Sequence, residues 1–598
     1  MEQLRHNGVL VPQPHERKGL TIKVEKREIQ LTREQEEMAL AWAKKVGTPY
    51  VEDIVFTKNF HRDFSKKLGI SVKLGNIDYS EVLSFVEKER NWKLNLSKEE
   101  KRQIAAQRKA QREENREHYG HAWVDGLRID VANYAVEPSS IFMGRGKHPL
   151  RGRWKEGPRQ EEIELNLSND APKPPGNWKR IIWQKSAMWI ARWRDKLSGK
   201  TKYVWFSDSS ILKQRKDIEK FDKAKEFLQN LGQVQRHILE NLDADDVKRR
   251  KTATVCFLID KLKIRVGDEK DPDEADTVGA STLRPEHIRY NGDKTVIFNF
   301  VGKDSVPHVF KVRFPDTAIR NLKEFAANAE FTLFDGVGSK HVSEFLDEVM
   351  SGLSAKVFRT YYASEATETK LRKSPVKLED PEYVKKYVAT MANLDSAKVC
   401  NHRRTIPKTW ESSLEKKKHR LGALKQRAKD AQTKLRQKAE EQEERYKERL
   451  RKQEERLETL KEKLEVYQRQ RALRKQQGKS VRAIKRRISL QQKTVTRQRQ
   501  RLRELKTKHA DRLKKLEQRR ESRRQRDELM LDKLKLRIET QKETRDYNLI
   551  TSLKSYIDPR IYYEWGKRVN YDWKLYYPKT LQMKFSWVEA DRAPPENG

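Results

Sequence analysis

Apolar residues recur every seven positions through one long, otherwise polar part of this chain. Leu450, Leu457 and Leu464 share that step, as do Leu460 and Tyr467, and Val495, Leu502, His509 and Leu516 repeat it further on. From Glu411 to Arg545 there is no proline, and the only glycines are Gly422 and Gly478. Gly478, in KQQGKSV, falls near the middle. The pattern predicts two long helices folded back on each other as an antiparallel coiled coil that turns at Gly478. Each arm is on the order of 65 residues, or roughly 100 Å at the α-helical rise.

Before this stretch the periodicity changes several times. GLTIKV near the start is β-prone, and Ser97 to Tyr119 reads as a helix opened by a capping signal, SKEE. Residues 121–210 read as short strands and turns, with aromatics alternating through WKRIIWQKSAMWIARWRDK and TKYVWF. From 211 to 410 strands and helices mix. VIFNF followed by GKD and SVPHVFKV predicts a hairpin whose turn presents Gly302, Lys303 and Asp304. KHVSEFLDEVMSGL predicts an amphipathic helix. After the coiled coil, DYNLITSLKSYIDPRIYYEWGKRVNYDWKLYY returns to globular, aromatic character. A hairpin of helices brings the chain back to where it left, so this tail is expected to dock on the core that ends near Trp410.

Charge narrows the possible partners. Lys and Arg outnumber Asp and Glu by 131 to 89 in 598 residues, an excess of 42. Residues 411–545 alone hold 47 basic against 22 acidic side chains, so 25 of the excess charges sit on the predicted arm. Such a balance suits a polyanion, nucleic acid first and a membrane surface second. No run of eighteen apolar residues exists and the N-terminus lacks a signal-peptide stretch, so a soluble, intracellular chain is expected. Cys256 and Cys400, the only cysteines, suggest a reduced compartment and no zinc site. A phosphate-binding GxxxxGK[ST] loop is absent, and QGKS at 477–480 lacks the first glycine. No carboxylates cluster at metal-binding spacing. Remodelling of DNA by such a chain is expected to proceed without ATP or a divalent metal, the phosphodiester energy being kept in a reversible link to a tyrosine.

Eight strings carry a resemblance. In order they are FMGRGKHPLRG (142–152), PPGNWK (174–179), FLIDKLKIRVGDEK (257–270), DTVGASTLRPEHI (276–288), FVGKDS (300–305), LSAKVFRTYYAS (353–364), KVCNHRRTIPKT (398–409) and YIDPRI (556–561). Their order, with a coiled coil between the last two, resembles the eukaryotic-type type IB DNA topoisomerases over nearly the whole chain. The resemblance implies an α+β multidomain clamp on double-stranded DNA, acting as a monomer. Its parts are a mixed cap (1–210), a mostly helical, tyrosine-recombinase-like catalytic core (211–410), the coiled-coil linker (411–545) and a small helical C-terminal domain (546–598). It implies Tyr556 as the nucleophile that forms a 3′-phosphotyrosine. Arg265, Arg359 and His402 are implied to hold the scissile phosphate and its five-coordinate transition state, where fixed cationic donors meet developing charge. Lys303 is implied to protonate the departing 5′ oxygen, a role open to a lysine where nearby arginines favour its neutral form. DNA contacts are implied at Arg145, Trp189, Lys202, Tyr203, Lys220, Val266, Gly267, Asp268, Glu269, Lys270, Thr277, Ser354, Ala355 and Lys356, chiefly to phosphates. No cofactor is implied.

Two departures stand out. The family usually reads Ser-Lys-x-x-Tyr, whereas here Ser552, Leu553, Lys554, Ser555 and Tyr556 place the lysine two residues before the tyrosine. Ser555 replaces an asparagine that helps bind camptothecin in the eukaryotic enzymes, so low sensitivity to that drug is expected. The lack of a long charged N-terminal extension resembles the archaeal (thaumarchaeal-type) branch, with a cytoplasmic, nucleoid location there and a nuclear one in a eukaryote. The plain readings are a packing role for Tyr556 (one of nineteen tyrosines), a solvated turn for Lys303 and core packing for Trp183, Trp189 and Trp193. Two other functions compete. A tyrosine recombinase places a histidine three residues before its second arginine, but here Lys356 precedes Arg359 and His402 follows later. A non-enzymatic coiled-coil DNA-binding protein leaves the core strings unexplained.

Overall fold

The computed structural model describes all residues except 26, 71–75, 145, 147, 269–276, 304–305 and 591–598. The chain forms two compact units. One comprises 1–378, 391–404 and 547–598, and the other comprises 379–390 and 405–546. The helix Glu382–Val399 begins in the second and ends in the first. The second unit thus includes residues 379–390, which carry no heptad or charge signal that composition could have flagged.

In the first unit, residues up to 206 build two apolar cores. Helices Arg33–Ala43, Ile54–Leu68 and Ser80–Asn95 pack on the small sheet of Thr21–Val24, Arg27–Gln30 and Ile77–Asp78. Trp42 and Phe60 stack at 4.6 Å in that core. The second core lies under two further sheets. Leu4–His6 pairs antiparallel with His121–Val124, which continues into Leu127–Asp130. Glu164–Asn166 lies between Arg180–Ile182 and Trp189–Arg194, with Thr201–Trp205 at the edge. The expected helix at Ser97–Tyr119 forms over Lys98–Tyr119, capped by reciprocal bonds between Ser97 and Glu100. None of its residues is buried.

Four residues, 207–210, connect this region to the helix Ile211–Glu240, whose N-cap is Ser210. The helix Val247–Leu262 is buried at every residue from Thr252 to Asp260, so it forms the centre of the third core. Around it pack the helices Asp316–Ala327, Ser339–Asp347 and Ala355–Arg372, with the antiparallel sheet of Ile288–Tyr290, Thr295–Gly302 and Val306–Arg313. The predicted hairpin is present, with Gly302 opposite Val306; Asp304 lies outside the described residues. The amphipathic helix is shorter than its apolar pattern, ending at Asp347, because the Asp347 carboxylate accepts from the backbone N–H of Gly352 and turns the chain there.

In the second unit the helices Trp410–Gln476 and Arg482–Glu543 run antiparallel. Gln541 meets Trp410, His509 meets Glu443, Gln498 meets Gln453 and Gln491 meets Leu460, so the partners close on the turn in step. Gly478 has φ +68°, a conformation that glycine adopts without strain. Ile484, Ile488, Val495 and Leu502 are buried in the seam near the turn, and Leu414, Leu534 and Ile538 near the root. Gln498 sits in the seam and donates to both the backbone and side-chain oxygens of Gln453, a polar contact that disfavours slipped registers. Among the described residues no helix is long and apolar enough to cross a membrane.

Phe358 is fully buried against Phe227, ring centroids 4.5 Å apart, one residue before Arg359. Phe358→Ala is expected to cost about 3–5 kcal/mol, read as a lower denaturant midpoint of the first unit's transition.

Candidate active site

Five elements converge on one open cleft of about 580 Å³ in the first unit. The loop that follows Leu262 supplies Arg265, Val266, Gly267 and Asp268, and the hairpin tip supplies Gly302 and Lys303. The helix Ala355–Arg372 supplies Arg359, the turn at 400–403 supplies Cys400, Asn401, His402 and Arg403, and the start of the tail supplies Asn548 and Thr551. His148 and Thr277 complete the lining used here. The Arg265 loop depends on a close glycine pair. A Cβ on Gly279 would lie 2.5 Å from the Gly267 Cα, and Gly267 itself has φ +92°. Side chains at either position would push the two backbone segments apart.

Arg359 lies on a helix face turned inward and is 5% exposed. It has no carboxylate partner among the described residues. One guanidinium nitrogen, Nη2, donates to the carbonyl of Cys400 (2.9 Å) and to Nε2 of His402 (3.1 Å), while Nε has no hydrogen-bond partner. An unneutralised buried cation is costly, and an incoming anion would relieve that cost. The bond from Arg359 also settles the histidine. Arginine only donates, so Nε2 of His402 accepts and its proton sits on Nδ1, which donates to the Ser552 hydroxyl at 2.7 Å. Burial first, then the charges of Arg359 and Arg265, push His402 down to about 3. His308, stacked on Phe300, is pushed down to about 4 by burial and by Arg359, Arg265 and Arg403. Asn401 donates to its Nδ1 at 2.7 Å.

Tyr556 ends the short helix Leu549–Ser555. Its ring lies 5.0 Å from His402 and beneath the Arg359 guanidinium at 4.8 Å. Several bonds hold it there. The Ser364 hydroxyl donates to the Tyr556 carbonyl and accepts from the Asp558 N–H. Asn548 N–H donates to the His402 carbonyl at 2.7 Å, and Arg403 bridges to Tyr547. Asp558 caps the helix Pro559–Val569 and grips the buried Arg560, which also pairs with Asp222 at 2.8 Å on the helix Ile211–Glu240. The DPR of YIDPRI is therefore a bracket that fixes the tyrosine's position. Ser364, Asp558 and Arg560 lie inside quoted strings and Ser552 in the Ser-Lys-x-x-Tyr comparison, but the sequence assigned none of them a role, since their partners are up to hundreds of residues away.

Arg359, His402 and Tyr556 are thus in mutual contact, and Arg265 and Lys303 line the same cleft as exposed side chains. The displaced lysine has its own partner. Lys554 reaches Asp208 at 2.8 Å, on the four-residue connector before Ile211. Burial alone would raise the Asp208 carboxyl, but the bond from Lys554 and the charges of Lys584, Lys554 and Lys213 outweigh it and hold it at about 2.

The expected contact residues are placed unevenly. Ser354, Ala355 and Lys356 open the helix Ala355–Arg372, where free N–H groups and the helix dipole favour an anion. Lys220 pairs with Asp217 at 2.7 Å, and burial lowers its pKa. Tyr203 is exposed and Lys202 half-buried on the edge strand. Trp189 is buried, with Arg192 over its ring at 4.6 Å, so its side chain packs within the sheet. Val266 and Gly267 are half-buried and Asp268 exposed, its carboxylate accepting from Ser339 N–H. Arg145, Glu269 and Lys270 lie outside the described residues.

A basic cleft with a buried guanidinium, a neutral imidazole and a phenol side by side can bind a phosphodiester and present an oxygen nucleophile to it. Comparison with known proteins agrees. Residues 1–206 match the model of the eukaryotic DNA topoisomerase I DNA-binding fragment, 209–435 that of the eukaryotic DNA topoisomerase I catalytic core, and 528–594 that of a C-terminal topoisomerase domain. The chain is 35% identical over 438 residues to DNA topoisomerase 1 beta of Arabidopsis thaliana, covering 71% of this chain and 47% of that one. DNA topoisomerase 1 of Candidozyma auris is 34% identical over 431 residues (69% and 57%), and that of Homo sapiens 31% over 449 (72% and 58%). The matches thus span about half the length of these relatives. With three consecutive family models matched in order, the chain belongs to the eukaryotic-type DNA topoisomerase I family.

Proposed function

We propose that the protein is a type IB DNA topoisomerase that relaxes positive and negative supercoils by cutting and rejoining one strand. The observation that carries this reading is the contact of Tyr556 with Arg359 and His402, two residues that line a basic cleft. In the forward step the Tyr556 oxygen attacks the scissile phosphorus and gives up its proton to solvent. The bond from phosphorus to the 5′ oxygen breaks, and Lys303 donates a proton to that oxygen. Arg265, Arg359 and His402 hold the non-bridging oxygens, Arg359 exchanging its bonds to Cys400 and His402 for phosphate and His402 taking the tautomer with its proton on Nε2, where Nδ1 accepts from the Ser552 hydroxyl. Rotation of the free strand releases torsion, and the 5′ hydroxyl then attacks the phosphotyrosine to restore both original bonds. The phosphotyrosine retains the bond energy, so the reaction needs no ATP, and with arginines in the electrophilic role no divalent metal is required. The enzyme acts as a monomer on double-stranded DNA, in the nucleoid of an archaeal host or the nucleus of a eukaryotic one.

Plasmids of either supercoil sign, incubated in EDTA without ATP, are expected to relax. Tyr556→Phe is expected to abolish relaxation while leaving duplex affinity within about twofold, since the ring stays and only the nucleophilic oxygen goes. Retained relaxation by that variant would overturn the assignment of the nucleophile.

Lys303→Ala is expected to slow single-turnover cleavage by about 10²–10⁴-fold, the usual worth of a general acid. A 5′-bridging phosphorothiolate, whose thiolate leaves without a proton, should restore most of that rate. No restoration would remove Lys303 from the acid role.

His402 should make acid destabilising. An unfolded histidine takes up a proton near 6.5 and the folded one only at about 3, so between those values the unfolded state binds more protons and stability falls as pH falls. The share of His402 at pH 5 is about 2 kcal/mol. Denaturation of the DNA-free protein at pH 7 and pH 5 should show a smaller loss in His402→Asn than in the parent.

A further inference from the structure

The arm's positive charge is not spread evenly. From Val466 to Arg503, the 38 residues around the turn, there are 14 Lys and Arg and no Asp or Glu. The rest of the arm, 411–465 and 504–545, has 33 basic against 22 acidic residues. More than half of the arm's excess charge therefore lies in its distal quarter. Pairing follows the same division. Toward the root, acidic residues are interspersed and some cations have a carboxylate neighbour, as in Arg436–Glu440, Lys452–Glu448, Lys506–Glu454 and Arg523–Asp527. Among the described residues, of the fourteen distal cations only Arg469 has a carboxylate within 4 Å, Glu465 at 3.9 Å. The turn itself, 471–480, is exposed at every residue.

From this distribution we infer that the tip of the hairpin is a separate binding site for a second double-stranded DNA segment. The inference rests on the reading that the cleft holds one duplex. An arm that tracked a duplex along its whole length would gain by carrying cations throughout, because each neutralised phosphate releases counterions. This arm instead offsets two thirds of its basic residues with acidic ones toward the root, and carries no acidic residue in the segment that reaches roughly 90–100 Å out, at the α-helical rise. That arrangement suits a contact made at the end of a lever. The turn 471–480 carries no aromatic side chain and no carboxylate to read a base, so the site reads phosphates, without sequence preference.

The test uses the full chain and a two-duplex capture assay. A short immobilised duplex is saturated with protein, excess protein is washed away, and a fluorescent second duplex is added in EDTA. Capture needs no cleavage, so it is scored independently of relaxation. The tip variant carries Arg474→Gln, Lys475→Gln, Lys479→Gln, Arg482→Gln, Lys485→Gln and Arg486→Gln, changes that keep helix propensity. A root variant neutralises Lys514, Lys515, Arg519, Arg520, Lys533 and Lys535 in the same way. Circular dichroism checks that both retain the parent's helix content. The parent is expected to capture the second duplex and the root variant to do so within about threefold, while the tip variant loses about tenfold or more. The slope of capture against salt, on logarithmic axes, should fall by about 3–5 in the tip variant. Absence of capture by the parent, equal loss in both variants, or capture of single-stranded RNA in preference to duplex DNA would each overturn the proposal. A parent that captures a second duplex yet fails to relax plasmid would leave the tip site standing and bring down the proposed activity.

Discussion

One buried, unneutralised guanidinium governs the layout of the first unit. Arg359 is held inside the fold by Phe358 and the helix around it, with a carbonyl and an imidazole as its partners and no carboxylate among the described residues. Removing a cation from water without a counter-charge is tolerated only where the surrounding structure is stable enough to bear it. The helix Val247–Leu262, buried from Thr252 to Asp260, and the large aromatic core around it provide that stability. Burial first, and then the charges of Arg359 and Arg265, keep His402 neutral, while the bond from Arg359 sets its tautomer.

The tail is bound to this arrangement by polar contacts of long sequence separation. Ser364 holds both the Tyr556 carbonyl and the Asp558 N–H, and Arg560 links Asp558 to Asp222. Ser552 joins His402, and Lys554 joins Asp208 on the connector. Each bond is individually modest. Together they restrict the Tyr556 helix to one placement, as the proposed in-line attack on a phosphate held by Arg359 and His402 demands. The one-residue shift of the lysine relative to the usual family spacing leaves this bracket intact, because Lys554 serves the connector while Ser552 serves the histidine.

Much of this was legible along the chain. Heptads around Gly478, the SKEE cap and the VIFNF…SVPHVFKV hairpin are local patterns, and local hydrogen bonding and apolar periodicity decide them. The end of the helix at Asp347 was not legible, because its apolar pattern continues while a side-chain bond to Gly352 turns the backbone. Burial of Trp189 was open for a similar reason. An aromatic strand residue has two faces to choose from, and only the packed sheet with Arg192 over the ring decides between them.

The sequence by itself determined the heptad hairpin, the asymmetry of charge along it and the strings that mark Arg265, Lys303, Arg359, His402 and Tyr556. These depend on residue identity and spacing alone. Tertiary structure alone decided that Arg359 is buried with no carboxylate partner among the described residues, that His402 is neutral with its proton on Nδ1, and that Ser364, Ser552 and Arg560 hold the tyrosine in place. Those properties arise from desolvation and from partners far apart in the chain, up to about two hundred residues away for Ser364 and Asp558. Spacing along the sequence carries no information about either.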